Sequence, residues 1–256
     1  ILKKYDVKAV VSVGGFSAAA TSFAAILKTD YKFFIHEQKS VMGTLNKKTI
    51  KFATSFYSSF HSKSKIKDYP VKDIFFENGR IRTSIKTIAF FGGSQGAVAI
   101  NNFALKLAPK LKGMDIKIIH QAGKNDYERV KAEYEKLNIN ADIFDFTKDI
   151  MQKMNEADFC VSRAGASTLF ELCAINLPTF FIPFKYAASN HQYFNAKLLL
   201  DKKLCFLQNE DDLDENEFFK IIENVNLQEI SLGLREFIKP KAIEKIVDDI
   251  LEHCKK

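Results

Sequence analysis

The segment that decides the fold class reads Ile88-Ala89-Phe90-Phe91-Gly92-Gly93-Ser94-Gln95-Gly96-Ala97. Its apolar first half predicts a buried strand, and its glycines end that strand just before a helical pattern over 97–111. A strand that ends in glycines and opens a helix gathers backbone N–H groups and the positive end of the helix dipole at one point, which favours phosphate or pyrophosphate. A tight turn that binds nothing would show the same pattern.

The same alternation of apolar and amphipathic stretches continues on both sides of this segment. The predicted strands are 8–13, 32–36, 71–76, 85–91, 116–121, 142–146, 159–162, 179–184 and 204–207. The predicted helices are 17–27, 97–111, 126–137, 150–156, 167–174 and 190–201, and a helical tail follows from 215 to 256 with Pro240 as a hinge. Strands and helices that alternate in this way form right-handed crossovers and a parallel sheet. Six strands from Ile85 onward make a complete α/β domain, whereas the three or four before it make an incomplete one.

Length and composition limit the classes of protein that remain. The chain has 256 residues and a mass of 29.1 kDa, which suits one large or two modest domains, and 46% hydrophobic residues exclude a disordered chain. A net charge of +7 permits phosphate substrates, nucleic acid or an anionic membrane surface. The mixed aromatic and basic pattern of single-strand binders is not evident, so nucleic acid is disfavoured. The four cysteines form no C-x-x-C pair and predict free, buried thiols in a cytoplasmic protein.

Residues 9–27 carry no charge and imitate a signal peptide or membrane anchor. Gly14-Gly15 and four hydroxyl residues divide this stretch, so we predict a strand, a turn and a helix instead. The chain begins with Ile1 and enters a core strand almost at once, and we therefore expect that it lacks an N-terminal segment.

A second constellation, 162–171, reads Ser-Arg-Ala-Gly-Ala-Ser-Thr-Leu-Phe-Glu. The preceding strand delivers Arg163 to the carboxyl edge of the sheet, where it could neutralise a phosphate or form a surface ion pair. Ser167 or Thr168 is predicted to cap the next helix. Glu171, in about the first turn of that helix, could accept both hydroxyls of a ribose or only complement the helix dipole.

Further polar residues cluster where other helices begin. His191, Gln192 and Asn195 are predicted to share one helix face, which suits sugar hydroxyls, phosphate or simple capping. Near the start of the chain, Gly14-Gly15 repeats the glycine turn, and His36-Glu37-Gln38-Lys39 ends the next predicted strand.

Two familiar phosphate-binding motifs do not fit this sequence. The Gly-Lys-Ser/Thr of a P-loop is missing, and the strand ending Gln121-Ala122-Gly123 lacks the carboxylate that an NAD site needs.

Together these blocks resemble the MurG family of UDP-N-acetylglucosamine transferases. The matching stretches are 14–17, 36–38, 43–46, 92–97 with Asn101, 146–150, 163–171 and 191–196. The resemblance implies the GT-B architecture, an α/β fold of two Rossmann-like, doubly wound parallel-sheet domains. The predicted domains are 1–82, the C-terminal part of an acceptor-side domain; 83–238, the UDP-sugar domain; and 239–256, a helix that crosses back to the first domain.

The resemblance also implies the site residues. Those expected to bind UDP-N-acetylglucosamine are Gly93, Ser94, Gln95, Gly96, Phe146, Thr147, Arg163, Ala166, Glu171, His191, Gln192 and Asn195. Those expected on the acceptor side are Gly14, Gly15, Gln38, Lys39, Arg80 and Arg82. His36 and Glu37 are the candidate catalytic bases. The N-terminal glycine loop and histidine of the family have no counterpart here, and Lys39 stands in place of the usual Asn.

The reaction implied is an inverting transfer of N-acetylglucosamine to the 4-hydroxyl of lipid I, which makes lipid II for peptidoglycan. It implies no required cofactor or metal, and a peripheral position on the cytoplasmic face of the inner membrane. Because the candidate bases are poor, we expect little transferase activity from these residues alone. The alternatives are another UDP-sugar enzyme of GT-B fold, such as an epimerase or a different glycosyltransferase, and a non-catalytic nucleotide-binding fragment.

Overall fold

The computed structural model of this protein describes residues 4–28 and 31–255, which fall into two units. One unit runs up to Val71 and takes in the chain again from Lys239, and the other spans Lys72–Ile238. The division therefore lies between residues 71 and 72, where the sequence predicted 82 and 83. Ile1 and Lys256, on which the expectations for the two ends of the chain rested, lie outside the described residues.

The first unit is built on a three-stranded parallel sheet in the order β1-β2-β3. Its elements up to residue 71 are β1 Ala9–Ser12, a 3-10 turn Phe16–Ala18, α1 Ala19–Leu27, β2 Lys32–His36, α2 Thr44–Thr49, a 3-10 turn Ile50–Phe52 and β3 Ser55–Tyr57. The strand, turn and helix predicted for the uncharged stretch are confirmed. Within the described ranges, no helix has the length and apolar character needed to cross a bilayer.

The second unit carries a six-stranded parallel sheet in the order β6-β5-β4-β7-β8-β9. Its elements are α3 Asp73–Glu77, β4 Thr87–Phe91, α4 Val98–Gly113, β5 Lys117–Gln121, α5 Tyr127–Lys136, β6 Asp142–Phe144, α6 Ile150–Glu156, β7 Phe159–Ser162, α7 Ala166–Ala174, β8 Thr179–Phe181, a 3-10 turn Ala188–Asn190, α8 His191–Leu200, β9 Phe206–Leu207, a 3-10 turn Glu210–Asp212, α9 Glu215–Asn224 and α10 Leu227–Phe237. The six strands predicted from Ile85 onward are all confirmed.

Each sheet buries its own core. In the second unit, Ile88 and Phe90 of β4 pack with Phe103 of α4 and Phe218 of α9 in one continuous cluster. In the first, Phe33 and Ile35 of β2 are the buried centre of a smaller cluster. The apolar residues of the central strands β2 and β4 are buried on both faces, as parallel strands covered by helices must be.

The last helix, α11 Ala242–Cys254, belongs to the first unit. Asp249 on this helix accepts a hydrogen bond of 2.6 Å from the Tyr57 hydroxyl at the end of β3, and it also pairs with Lys65. A second ion pair joins Lys245 to Asp68 at 2.7 Å. These contacts attach the helix that follows Pro240 to the sheet of the first unit.

In the first 77 residues one predicted strand was wrong and one observed strand was not predicted. The predicted strand 71–76 is largely the helix α3, because the buried residues Val71 and Phe75 are four apart and Ile74 is exposed. The strand β3 was missed, since it has three residues and its Ser55 breaks the apolar pattern. It forms because β2 offers a neighbouring edge, with Phe34 registered against Ser55 and His36 against Tyr57.

Candidate functional site

The loop between β4 and α4 lies where the strand order of the second unit reverses. From the central pair β4 and β7, the sheet grows outward through β5 and β6 on one side and through β8 and β9 on the other. Phe91 and Ser162 are partners in the β4–β7 register, so Gly92 and Arg163 leave the sheet side by side. Open α/β sheets bind their ligands in the crevice outside the carboxyl ends of the strands at such a point.

The glycines of this loop allow a turn that other residues would strain. Gly93 has φ 80° and Gly96 has φ 82°, both in the left-handed region. The Gly96 N–H donates to the Gly93 carbonyl at 3.0 Å. Because C=O and N–H of a trans peptide point in opposite directions, the Ser94 N–H is directed away from this closed turn. The loop therefore presents main-chain donors beside the start of α4, as the sequence predicted.

A cavity of about 260 Å³ opens beside this loop. It brings together six of the residues expected to bind the nucleotide sugar, namely Gly93, Ser94, Phe146, Thr147, Arg163 and Glu171. A second cleft of about 440 Å³ shares Gly92 and Arg163 with the first and continues past Gly96 to Gln192 and Glu210. The two spaces form neighbouring parts of one crevice at the carboxyl edge of the sheet. Gln95 is exposed on the rim of the loop.

Glu171 supplies the carboxylate of the first cavity. Helix α7 begins at Ala166 with Gly165 as its N-cap, so Glu171 lies in the second turn of the helix, and neither Ser167 nor Thr168 caps it as predicted. Burial raises the pKa of Glu171, and the charge of Lys72 opposes that rise. A half-buried carboxylate of this kind is well suited to accept hydrogen bonds from a polar ligand, since it has lost part of its hydration.

Arg163 holds together the wall between the two clefts. Its guanidinium donates to the carbonyls of Ile182 at 3.0 Å and Pro183 at 3.1 Å, and forms an ion pair with Glu210. Burial lowers the pKa of Arg163, and Glu210 counteracts this effect. Of the two roles that the sequence left open for Arg163, the structure shows the ion pair, which fixes Glu210 and the turn after β8; a contact with phosphate stays a prediction.

The polar cluster at the start of α8 divides into three roles. Gln192 lines the second cleft, and its Oε1 accepts a hydrogen bond of 2.9 Å from the Phe184 N–H. The Nδ1 of His191 lies 2.9 Å from the Ala188 carbonyl, within its own turn. Asn195 is fully buried and donates to the Ala164 carbonyl at 3.0 Å, so the structure gives it a positioning contact where the resemblance implied a sugar contact.

The loop after β6 closes the far side of the first cavity. Phe146 is 52% exposed, and its N–H donates to the Asp145 carboxylate at 2.6 Å. The Phe146 N–H, in a segment that the resemblance assigns to binding of the donor, is thus engaged within its own loop. Thr147 accepts from the Asp149 N–H at 3.0 Å and so fixes the entry into α6.

The predicted catalytic candidates lie in the first unit, at the carboxyl end of β2. Glu37 is buried, and its carboxylate accepts from the N–H of Lys39 at 3.1 Å, the N–H of Gly43 at 2.9 Å and the Asn46 amide at 2.9 Å. Three donors on one carboxylate give it the role of organising the 37–46 loop. Burial lowers the pKa of His36, which keeps its imidazole neutral at pH 7.

The acceptor-side residues of the first unit surround this loop. Gly14 has φ 83° and Gly15 has φ 86°, so each takes a backbone conformation that favours glycine. A Cβ on Gly14 would lie 2.9 Å from the Asn46 amide nitrogen, the same amide that Glu37 holds. Gln38 and Lys39 are exposed beside it.

Arg80 and Arg82, predicted on the acceptor side, lie in the second unit and make structural contacts there. Arg82 is completely buried and donates to the carbonyls of Met154, Ala157 and Ile175. Arg80 pairs with Asp158 at 2.7 Å. Both guanidinium groups are therefore used to join the segment before β4 to the rest of that unit.

Two parts of the site, Glu210 and the loop between β5 and α5, were not predicted from the sequence. Glu210 gave no signal, because it lies in a polar stretch far from any glycine turn. The β5–α5 loop did give one, since Gly123 follows a strand as Gly92 does. A Cβ on Gly123 would come within 2.1 Å of the Gly96 nitrogen, so the two glycine loops touch.

The cysteines and the potential metal ligands add no further site in the part of the chain that the structure describes. Cys160, Cys173 and Cys205 are free and buried, as predicted, and Cys254 is partly buried. Burial raises the pKa of the Cys160 and Cys173 thiols. Within residues 4–28 and 31–255, His, Cys, Asp and Glu side chains form no group of three that could hold a metal ion.

Comparison with known proteins adds three relationships. The model of the glycosyltransferase family 28 C-terminal domain matches residues 87–250. A UDP-N-acetylglucosamine–N-acetylmuramyl-(pentapeptide) pyrophosphoryl-undecaprenol N-acetylglucosamine transferase of Campylobacter jejuni is 54% identical over 253 residues, which is 98% of this chain and 72% of that protein. The transferase of the same name from Sulfurimonas denitrificans is 49% identical over 98% of this chain and 73% of its own length.

Solved structures agree with these relatives. The crystal structure of Acinetobacter baumannii MurG matches with a TM-score of 0.80 and 27% identity, over 98% of this chain and 75% of that one. A putative UDP-N-acetylglucosamine 2-epimerase from Listeria monocytogenes matches with a TM-score of 0.66 at 10% identity, over 99% of this chain and 76% of that one. The second likeness is one of fold alone.

Proposed function

The chain belongs to the family of UDP-N-acetylglucosamine–N-acetylmuramyl-(pentapeptide) pyrophosphoryl-undecaprenol N-acetylglucosamine transferases, and from this premise we propose that its second unit binds UDP-N-acetylglucosamine as a glycosyl donor. The observation that carries the proposal is the cavity at the sheet reversal, where the glycine loop, the 146–147 segment and Glu171 meet. The likeness to Acinetobacter baumannii MurG supports the same fold class, with parallel-sheet, Rossmann-like units.

Each part of the crevice suits one part of the donor. Main-chain amides at Ser94 and Gln95, beside the N-terminus of α4, suit the diphosphate. The Glu171 carboxylate suits the vicinal hydroxyls of the ribose, which need an acceptor pair. The cleft that continues to Gln192 is the place for the sugar. The Phe146–Thr147 segment is left to flank the uracil ring.

The reaction we propose is an inverting displacement. The acceptor hydroxyl oxygen forms a bond to the anomeric carbon, the bond from that carbon to the diphosphate oxygen breaks, and UDP leaves with the electron pair. The hydroxyl proton passes to a base. Of the two candidates, Glu37 is engaged by three donors, whereas the imidazole of His36 is neutral and chemically able to accept a proton.

Charge that develops on the departing diphosphate is met by the amides of the glycine loop and by the α4 dipole. One preorganised donor of this kind typically lowers the barrier by about 3–4 kcal/mol. We propose that the transfer proceeds without a metal ion or an organic cofactor, because these fixed dipoles provide the stabilisation that a cation would otherwise give.

The acceptor side of the proposal rests on the relatives. Their name specifies a pyrophosphoryl-undecaprenol acceptor, which is a membrane lipid. We therefore propose lipid I as the acceptor and its 4-hydroxyl as the nucleophile. We also propose that the protein is located peripherally on the cytoplasmic face of the inner membrane.

Thermal unfolding in the presence of nucleotides tests the donor site. UDP at 100 times its dissociation constant should stabilise the second unit by about 2.7 kcal/mol. Since 1 kcal/mol shifts the Tm of a domain of this size by about 2–4 °C, the Tm should rise by about 5–11 °C. ADP, GDP and NAD at the same concentration serve as controls. Equal shifts for ADP and UDP, or none for UDP, would refute the proposal.

A further inference from the structure

The loop between β5 and α5 packs against the glycine loop of the candidate site. It runs from Ala122 to Asp126, and Gly123 is buried while Lys124 and Asn125 are exposed. The N–H of Lys124 donates to the Ser94 carbonyl at 3.2 Å, and the Asn125 amide donates to the Gln95 carbonyl at 3.3 Å. None of these residues lines the cavity beside the glycine loop.

Both hydrogen bonds orient peptides of the glycine loop. Asn125 holds the Gln95 carbonyl, and the N–H on the opposite side of that peptide is the Gly96 N–H that forms the turn bond to Gly93. Lys124 holds the Ser94 carbonyl. The Ser94 carbonyl and the Gln95 N–H belong to one planar trans peptide and point in opposite directions. When Lys124 holds that carbonyl on the β5 side, the Gln95 N–H is directed away from β5. The turn bond from Gly96 to Gly93 directs the Ser94 N–H in the same manner. Two consecutive donors are thus aimed without any contact to a ligand.

The close approach of the two loops depends on glycine at both positions. A Cβ on Gly123 would lie 2.1 Å from the Gly96 nitrogen and 2.7 Å from the Gln95 carbonyl carbon. Both are backbone atoms, so the glycine loop itself would have to move. Gly123 also has φ 78°, a conformation that other residues adopt only with strain.

A buried polar network fixes the β5–α5 loop in turn. Asn101 of α4 donates to the Ala122 carbonyl at 3.0 Å and to the Asp126 carboxylate at 2.7 Å. Its Oδ1 lies 3.0 Å from Nε2 of His120, and Nδ1 of His120 lies 2.8 Å from the Tyr134 hydroxyl. Because Oδ1 can only accept, His120 carries its proton on Nε2 and accepts from Tyr134.

The electrostatics of the network agree with that neutral tautomer. Burial lowers the pKa of His120 to about 3, so the ring stays uncharged at neutral pH. Arg129 holds the Asp126 carboxylate at 2.6 Å and lowers its pKa. Every member of the network therefore has a partner, and such a network gives one defined arrangement of α4, β5 and α5.

From these contacts we infer that Gly123, Lys124 and Asn125 are positioning residues that aim the Ser94 and Gln95 amides at the diphosphate of the donor. The inference rests on the proposed function. It assigns these three residues no contact with the substrate and no part in binding the uracil or the ribose, which lie with Phe146 and Glu171 in the proposed site.

The test compares UDP with uridine, because only UDP carries the diphosphate. Dissociation constants for both are measured on the 256-residue chain by titration calorimetry and ligand-observed NMR. Gly123→Ala should weaken UDP binding at least tenfold and leave uridine binding within twofold. Gly113→Ala is the matched control, since a Cβ there meets no atom within 4 Å, and it should change neither constant.

Asn125→Ala keeps the test decisive if the glycine variant unfolds. Asn125 is exposed, so its loss should leave the Tm unchanged and weaken UDP binding two- to fivefold, again without an effect on uridine. Asn224→Ala, which removes another exposed amide bonded to a backbone carbonyl, is its control. Equal losses for UDP and uridine, or no loss for either, would overturn the inference. Wild-type protein that binds no UDP would instead overturn the proposed function.

Discussion

Replacing Arg82 by methionine should destabilise the second unit by about 2 kcal/mol. The side chain is 0% exposed and donates to the Met154 carbonyl at 3.3 Å and to the Ala157 carbonyl at 3.2 Å, as well as to that of Ile175. Methionine fills a similar volume but leaves the buried carbonyls of Met154 and Ile175 without this donor, whereas the Ala157 carbonyl keeps its hydrogen bond of 2.9 Å from Arg80. Each unsatisfied acceptor costs about 1–3 kcal/mol. The lower value applies here, because removing a buried guanidinium also relieves its desolvation.

Urea unfolding followed by circular dichroism measures this loss. The two units can unfold in separate transitions, so the transition to follow is the one that UDP raises. Arg82→Lys keeps the charge but not the planar fork of donors, and it should fall between methionine and wild type. Lys112→Met removes one exposed bond to a carbonyl and serves as the control. A loss below about 1 kcal/mol for Arg82→Met, or an equal loss for the control, would refute the structural role of Arg82.

Two further outcomes are expected from single substitutions. Glu171→Gln should weaken UDP binding about 10- to 100-fold, because a hydrogen bond to a charged acceptor contributes about 1.5–3 kcal/mol. Calorimetry with UDP and its 2′,3′-dideoxy analogue measures this loss. If the variant still prefers UDP to the analogue as strongly as the wild type does, the role of Glu171 is refuted. Burial opposes the ionised form of Asp249, but hydrogen bonds from Lys65 and Tyr57 outweigh it and lower its pKa from 3.8. A lowered carboxyl pKa stabilises the fold above that pH and the benefit is lost as pH falls through the folded value. The Tm of the first unit should therefore become steeply pH-dependent below about pH 4, and Asp249→Asn should remove that dependence. An identical pH profile of the Tm for the variant would contradict the stabilising role of the Asp249 carboxylate.

The candidate site was predictable where its chemistry is local in sequence. A strand, a glycine turn and a helix follow one another over 87–113, and the hydrophobic period of each part needs no distant partner to be recognised. The same holds for Glu171, since α7 follows directly after β7. The order of strands then brings these loops together, because parallel strands place all their carboxyl ends at one edge.

The roles of individual polar residues were not predictable in this way. Arg82 and Asn195 carry groups that fit an anion or a sugar, yet each is buried against carbonyls 31 to 93 residues away in the chain. For Arg163 the sequence left a phosphate contact or an ion pair open, and it could not show that the ionic partner is Glu210, 47 positions further on. The sequence shows which side chains are charged or polar, but it does not show which residues they bond to in the folded chain.

The sequence by itself determined which segments are strands and helices at the core of each unit, because burial on both faces of a parallel sheet demands continuous apolar runs. Only the tertiary structure decided that β3 exists, that 73–77 is a helix, and that the β5–α5 loop supports the glycine loop. These features depend on hydrogen bonds and close approaches between residues remote in sequence, and no local pattern encodes the distance between two backbones.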